Sequence, residues 1–206
     1  LNGELFTIMV RASILEQFSA ETGISIDDIL YDQRTMQKVW QAAEKAKLIL
    51  SANTETTVNI ESIYGDYDFK GIITRAELES RMEIPLTSIP KMLDSIFKTF
   101  DIKKLNSVIL SGGSSRVPII QKILIDYFGS EDIISKNVNA DESVVFGTTL
   151  SGAQILGLTR KKTFEIIDRT PVNYEINYYS ANDLSVKGSI EVPSGILSDQ
   201  KISVNL

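Results

Sequence analysis

The stretch Val108-Ile-Leu-Ser-Gly-Gly-Ser-Ser-Arg-Val-Pro118 constrains this chain more than any other. Leu105 to Leu110 is a short, mostly apolar run of the length a buried strand needs. Gly112 and Gly113 then remove two side chains where the chain has to turn. Ser114 and Ser115 offer helix caps, and Pro118 suits a first helical turn, where its missing N–H costs little. The helix expected next carries Ile119, Ile120, Ile123, Leu124, Tyr127 and Phe128 on one face, and Gly129 can end it. Strand, glycine turn and helix N-terminus form a geometry that receives phosphate, because free backbone N–H groups point at the ligand and glycine lets it come close. Alone, the same pattern fits an ordinary tight turn in an α/β fold equally well.

Composition narrows the chemistry. The 206 residues suffice for one large domain or two small ones, and a hydrophobic content of 43% supplies a core. A net charge of −6, spread along the chain, argues against nucleic acid or an anionic membrane as the main partner. The chain contains neither cysteine nor histidine. That excludes disulfides, thiolate metal sites, histidine bases and the usual zinc sites. No apolar run is long enough for a membrane-spanning helix. Leu1-Asn-Gly-Glu4 does not read as a signal peptide, and the missing initiator methionine suggests a piece of a longer chain.

Around the central stretch the elements read as follows. Leu5, Met9, Ala12, Leu15 and Phe18 mark a first amphipathic helix that closes near Gly23. Ser25 caps a short turn, and Asp32 caps a helix whose apolar face is Met36, Val39, Trp40, Ala43, Ala46 and Leu50. Its polar side carries Glu44, Lys47 and Ser51 in one stripe that can converge on a ligand. Such a stripe is more often a plain solvated helix face with a weak i,i+3 ion pair. Val58, Ile60 and Ser62, then Tyr67, Phe69 and Gly71, predict a β-hairpin turning at Gly65-Asp66. Thr74 and Glu77 have capping-box spacing. Thr87 or Ser88 caps a helix with Ile89, Met92, Leu93, Ile96, Phe97 and Phe100 inward. Asn139-Ala-Asp141-Glu142 opens a helix toward Gly157, in which Asp141 suits an N-cap and Gly147, Ser151 and Gly152 allow close packing.

After Leu158 the pattern changes. Thr159 to Thr163 is polar and basic, as in a linker. From Val172 the period is two, through Tyr174, Ile176 and Tyr178, with a turn at Asn182-Asp183 and further short strands at Ile190 and Val192 and at Ile202 to Leu206. This predicts the beginning of a truncated β-domain, whose exposed edges favour pairing between molecules.

Several motifs, taken in order, resemble a known family: Glu44-Lys-Ala-Lys47 with Leu50-Ser-Ala-Asn53, Asp68-Phe69, Thr74-Arg75, Ser111 to Pro118, and Asn139-Ala-Asp141-Glu142 with Gly147. Together they are similar to the second half of the nucleotide-binding domain of the seventy-kilodalton heat-shock chaperones, an α/β, actin-like ATPase fold. The resemblance covers about residues 1–158. It implies an upper lobe at 1–102, a return into the lower lobe at 103–158, a linker at 159–171 and the start of the β substrate-binding domain at 172–206. Leu50-Ser-Ala-Asn53 and Asn137 to Glu142 resemble the large, divergent exchange-factor branch, especially its endoplasmic-reticulum member and the fungal equivalents. The linker Phe164 to Pro171 departs from the ordinary family, since it is more polar and lacks the leucine-rich run that reports nucleotide state.

The resemblance implies roles for particular residues. Gly112, Gly113, Ser114 and Arg116 match the family's second phosphate and adenosine loop; Glu44, Lys47 and Ser51 match the helix that contacts the adenosine; Asp141 matches an acidic residue near the nucleotide. Leu48 stands where ordinary members carry an arginine that stacks on adenine, which implies altered affinity rather than lost binding. The implied cofactor is ATP or ADP with Mg2+, whose ligands lie outside this segment along with the first phosphate loop. The segment alone is therefore expected to have no ATPase activity, and no catalytic residue is assigned in it. The implied whole protein is a lumenal co-chaperone that exchanges nucleotide on a partner heat-shock chaperone and holds unfolded polypeptides, with no nucleic acid and no membrane insertion. The alternative function is an independent ATP-hydrolysing foldase of the ordinary kind, and the alternative compartment is the cytoplasm. An actin-fold sugar kinase would share the glycine turn but not the Glu44–Asn53 stripe followed by a β-domain.

Overall fold

Local capping sets most of the helix boundaries in the computed structural model, which describes residues 2–98, 100–135, 138–159, 169–180 and 186–197. Helix α1 (Gly3–Thr22) starts where the Asn2 side chain accepts from the Leu5 amide, and it ends at Gly23, whose left-handed φ of 76° lets its N–H reach the Ser19 carbonyl. Ser25 caps the short α2 (Ile26–Leu30) through the Asp27 amide. Asp32 caps α3 (Gln33–Leu50) through the amides of Arg34 and Thr35. These bonds satisfy N–H groups that have no partner within the helix.

Helices α1 and α3 lie against an antiparallel hairpin, β1 (Glu55–Tyr64) and β2 (Tyr67–Thr74), with Thr57 opposite Ile72 and Ile60 opposite Phe69. The core of this region is Phe6, Val10, Ile14 and Phe18 of α1, Val39, Ala43 and Leu50 of α3, and Val58, Ile60, Ile63, Phe69 and Ile73 of the hairpin. The expected face of α1 is thus offset: Leu5 and Met9 are only partly buried, while Phe6, Val10 and Ile14 are fully enclosed. A helix flanked by α2, α3, β2 and the helix that follows the hairpin buries more than one stripe, so a single-face pattern misplaces its centre. Ser62 does not continue the alternation of β1. It takes φ 44°, donates its N–H to Asp68 Oδ1 and leaves Ile63 to fill the inward place. Thr35 Oγ1 donates to the Ile63 carbonyl and Lys38 Nζ to the carbonyls of Glu61 and Ser62, so α3 holds this bulge. Gly71 is required for packing: a Cβ there would meet the ring of Phe69 and the side chain of Gln17.

Thr74 caps α4 (Arg75–Arg81) through the Glu77 amide, but Glu77 does not reach back as in a full capping box. Its carboxylate instead accepts from Ser13 Oγ at 2.6 Å and pairs with Arg81, which also binds Glu16 at 2.6 Å. The hydrogen bond from Arg81 holds the Glu16 carboxyl below its ordinary value, with burial opposing. A lowered carboxylate pKa stabilises the fold above the unfolded-state value, and this contribution is lost as pH falls through the folded-state value. Glu16→Gln should therefore lower the urea midpoint at about pH 7 but leave it nearly unchanged at about pH 3. An equal loss at both would show that the ion pair is not the cause.

Beyond α5 (Glu83–Leu86), helix α6 (Ser88–Phe97) differs from expectation. Neither Thr87 nor Ser88 caps it, because both hydroxyls donate backwards to the carbonyls of Ile84 and Pro85. Only Ile89 is buried in it; Met92 and Ile96 face solvent, as does Phe100 beyond its end. The side chain of Phe97 turns instead onto Tyr127 and Phe128.

The predicted strand at 105–110 is reduced to β3 (Val108–Ile109), which pairs in parallel with β4 (Ile134–Ser135). Helix α7 (Pro118–Phe128) connects them and closes at Gly129, φ 75°. This is a βαβ unit, the short answer to joining parallel strands. Helix α8 (Ser143–Ile155) follows, and no residue of it is buried. No atom lies within 4 Å of where a Cβ on Gly147 or Gly152 would stand, so the expected close packing there is not seen among the described residues.

The chain divides into two compact units, Leu1–Thr148 and Thr149–Leu206. In the second, β5 (Tyr174–Tyr179) and β6 (Val186–Val192) form an antiparallel pair, with Ile176 opposite Ile190. Thr170 and Arg169 bond the backbone of Gly195 and Ile196. The linker residues 160–168, the Asn182-Asp183 turn and the strand expected at Ile202–Leu206 lie outside the described residues.

Candidate nucleotide-binding site

Two loops meet at the carboxyl ends of the parallel strands β3 and β4, the edge where open α/β sheets place ligands. In the first, Gly112 adopts φ 91° and ψ 149°, a region open essentially to glycine alone. No atom lies within 4 Å of the place its Cβ would occupy, so the backbone here is open to approach. Gly113–Arg116 then form a turn of 3-10 helix. Ser114 and Ser115 do not cap α7: its N-cap is Val117, without a side-chain bond, and Ser115 Oγ donates to the Gly112 carbonyl at 2.7 Å. With Pro118 at the first helical position, one of the orphan donors that a cap would serve is already gone.

In the second loop, Asn139 Oδ1 accepts from the Asp141 amide at 3.2 Å, and the Ala140 carbonyl accepts from the Gly112 amide at 2.9 Å. Asp141 is therefore not a cap. Its carboxylate pairs with Arg116 at 2.6 Å, and Asn139 Oδ1 accepts from the same guanidinium at 3.4 Å. Arg116 and Asp141 are 57% and 51% exposed, so both keep faces free for a ligand.

Helix α3 supplies the third part. Lys47 Nζ lies 2.6 Å from both carboxylate oxygens of Glu44, 3.0 Å from Thr7 Oγ1 and 3.3 Å from the Gly3 carbonyl. Thr7 Oγ1 donates to Glu44 Oε2 at 2.6 Å. The hydrogen bonds from Lys47 and then Thr7 hold the Glu44 carboxyl below its ordinary value, against burial. Lys47 is only 13% exposed, while Glu44 is 43% exposed. The pair is thus not the solvated surface contact that the stripe alone allows: the ammonium is enclosed and the carboxylate faces outward. Ser51 Oγ turns back to the Lys47 carbonyl at 3.4 Å, and Leu48 projects into solvent.

Gly3 joins these parts. A Cβ on it would stand 3.1 Å from Ser114 Oγ and 3.6 Å from Lys47 Nζ, so the start of α1 brings the glycine turn beside the α3 stripe. All eight predicted residues, Glu44, Lys47, Ser51, Gly112, Gly113, Ser114, Arg116 and Asp141, belong to the first unit and to this one region. Gly3 and Thr7 complete it and were not singled out from sequence, while Asn139 was read there only as part of the stretch that opens a helix. The signals were present: a glycine one residue past an N-cap, and a hydroxyl inside an apolar helix face. The set of an open glycine backbone, a half-exposed guanidinium and two half-exposed carboxylates suits a ligand with both anionic oxygens and hydroxyl donors. Among the described residues, no three acidic side chains group as a metal site.

The family profile described as Hsp70 protein matches residues 1–191. Heat shock protein 70 homolog LHS1 of Saccharomyces cerevisiae is 38% identical over 191 residues, which are 89% of this chain and 22% of that protein. Its namesake in Candida glabrata is 34% identical over 183 residues, 85% of this chain and 20% of that protein. A ribosome-associated molecular chaperone of Saccharomyces cerevisiae is 34% identical over 178 residues, 84% of this chain and 28% of that protein. The chain therefore spans about a fifth to somewhat over a quarter of these relatives. The chain belongs to the Hsp70 family and carries part of its α/β, actin-like ATPase fold.

Proposed function

We propose that residues 1–158 form the adenosine side of a nucleotide cleft in a lumenal co-chaperone. The observation that carries this reading is the convergence at Gly3: the Gly112-Gly113 turn, the Arg116–Asp141 pair and the Glu44–Lys47 pair share one region in a chain of the Hsp70 family. In this reading Gly112, Gly113 and Ser114 lie along the ligand's phosphates, Arg116 stands beside the base, and Glu44, Lys47 and Ser51 face the sugar. Asp141 orients Arg116. Open space beside Gly112 fits a bulky ligand at the turn. Mg2+ accompanies the nucleotide and is held by residues outside this segment. The division into upper lobe (1–102), lower-lobe return (103–158), linker (159–171) and β-domain (from 172) belongs to the same reading.

The whole protein then binds ATP, docks on a lumenal heat-shock chaperone, opens that partner's cleft to release ADP, and holds unfolded chains. Support comes from the similarity to the LHS1 homologues, from the polar linker sequence and from Leu48, the last two being departures from an ordinary foldase. The experiment uses full-length protein. The partner chaperone is loaded with fluorescent ADP, this protein is added with ATP, and release is followed by stopped flow. Acceleration that depends on Arg116 is the expected result; no acceleration, together with peptide-stimulated ATP turnover by the protein itself, sinks the proposal. That outcome is the second reading, an independent ATP-hydrolysing chaperone, with which the 34% identity to the ribosome-associated chaperone is also compatible.

A further inference from the structure

Thr7 has no solvent exposure, yet its hydroxyl lies within the α1–α3 contact, near the start of α1. Three polar groups surround that hydroxyl. Lys47 Nζ lies 3.0 Å away, Glu44 Oε2 2.6 Å away and the Gly3 carbonyl 3.2 Å away. An ammonium only donates, so the hydroxyl accepts from Lys47. Its single proton is then left for an acceptor, and the Glu44 carboxylate is both the closer and the charged one. The hydroxyl therefore has one determinate orientation, with each side defined by a charged partner.

The geometry points to Thr7 as a positioning residue of the site: its hydroxyl bridges the Lys47 ammonium and the Glu44 carboxylate, and so fixes which face of Glu44 is presented to the ligand. This rests on the nucleotide-binding reading for its functional consequence, though not for the bridge itself. Without the hydroxyl, Lys47 would keep Glu44 and the Gly3 carbonyl, but one Glu44 oxygen would lose its short bond to the helix behind it. The carboxylate could then rotate about its last torsion, which is intrinsically soft. Lys47 is the charged group facing Glu44 from its own helix. From α1 the Thr7 hydroxyl bonds Glu44 and the Gly3 carbonyl bonds Lys47, and the glycine turn contributes Ser114 Oγ beside Gly3. The loss of one donor should therefore move the Glu44 titration upward.

Valine matches threonine in shape and lacks only the hydroxyl, so Thr7→Val is the direct test and Thr7→Ser the rescue. Two quantities are measured on the full-length protein: the titration midpoint of Glu44 by carbon NMR without ligand, and the affinity for fluorescent ADP. Thr7→Val should raise the midpoint toward that of an ordinary glutamate and weaken ADP binding about fivefold, the scale of one net hydrogen bond. Thr7→Ser should stay near wild type in both. An unchanged midpoint in Thr7→Val, or an equal loss in Thr7→Ser, overturns the inference. If wild type binds no ADP, the nucleotide reading fails, and the Glu44 midpoint still decides the role of Thr7. If Thr7→Val does not fold, the wild-type Thr7 hydroxyl proton decides: slow exchange with solvent supports the bridge, and fast exchange refutes it.

Discussion

Phe18→Ala should cost the first unit about 3–5 kcal/mol, more than most single changes elsewhere in the chain. Phe18 is fully buried in the last turns of α1 and packs edge-on against Phe69 at 6.5 Å and Tyr67 at 6.4 Å between ring centroids. It is one of the side chains through which α1 rests on the hairpin. Truncation removes the transfer energy of the ring and leaves a cavity, and the size of the loss depends on how far the walls collapse. Here they are tied. Gln17 donates to the Ile72 carbonyl, Ser13 to Glu77, and the strands are registered by their own ladder. The cost should therefore lie toward the upper end. Phe18→Leu keeps most of the volume and should cost about 1 kcal/mol. Hydrogen exchange of the α1 and hairpin amides in the full-length protein reads both. A loss below about 1 kcal/mol for alanine would show that the core repacks freely.

Arg116→Ala should weaken nucleotide binding roughly 10- to 100-fold, the scale of a hydrogen bond to a charged group. The same change should barely affect folding. Its partner Asp141 and Arg116 itself are both more than half exposed, and exposed pairs contribute little to stability. Asp141 left alone stays hydrated, so no buried charge is orphaned. The two readouts thus separate: a large affinity loss with an unchanged melting temperature is expected from calorimetric titration and thermal scans. Unchanged affinity would remove Arg116 from the ligand's surroundings. Arg116→Lys should recover only part of the loss, because an ammonium cannot hold Asp141 and a planar ligand together as a guanidinium can.

What was readable from sequence follows from how far apart the relevant residues lie. Caps and stops involve neighbours a few positions away, so Asp32, Thr74, Gly23, Gly65 and Gly129 all act as their residue types predict. The α3 apolar face and the hairpin turn were equally legible, because period and turn chemistry are local. Thr87, Ser88 and Ser115 fail as caps for an equally local reason, since their hydroxyls bond carbonyls three residues back, whereas two other failures lie beyond local sequence. Ser62 breaks the β1 alternation because Thr35 and Lys38, from a distant helix, hold a bulge there. Met92 and Ile96 face solvent although their spacing alone marks them as inward, since amphipathic spacing shows that a face exists and not what meets it.

The site divides in the same way. Residue type and spacing alone determined that a glycine turn joins a strand to a helix, that Glu44, Lys47 and Ser51 share one side of a helix, and that an acidic loop opens the helix at 143. Only the tertiary structure decided that these pieces meet. Parallel pairing of β3 with β4 places Arg116 and Asp141 on adjoining loops, and the missing side chain of Gly3 lets the start of α1 bring Ser114 beside Lys47. It also decided that Lys47 is enclosed and Glu44 outward, because the enclosing group, Thr7, is forty residues away along the chain but in hydrogen-bonding distance across the α1–α3 contact. Contacts between distant residues depend on how whole elements pack, and that packing energy is shared among many side chains, so no local pattern encodes it.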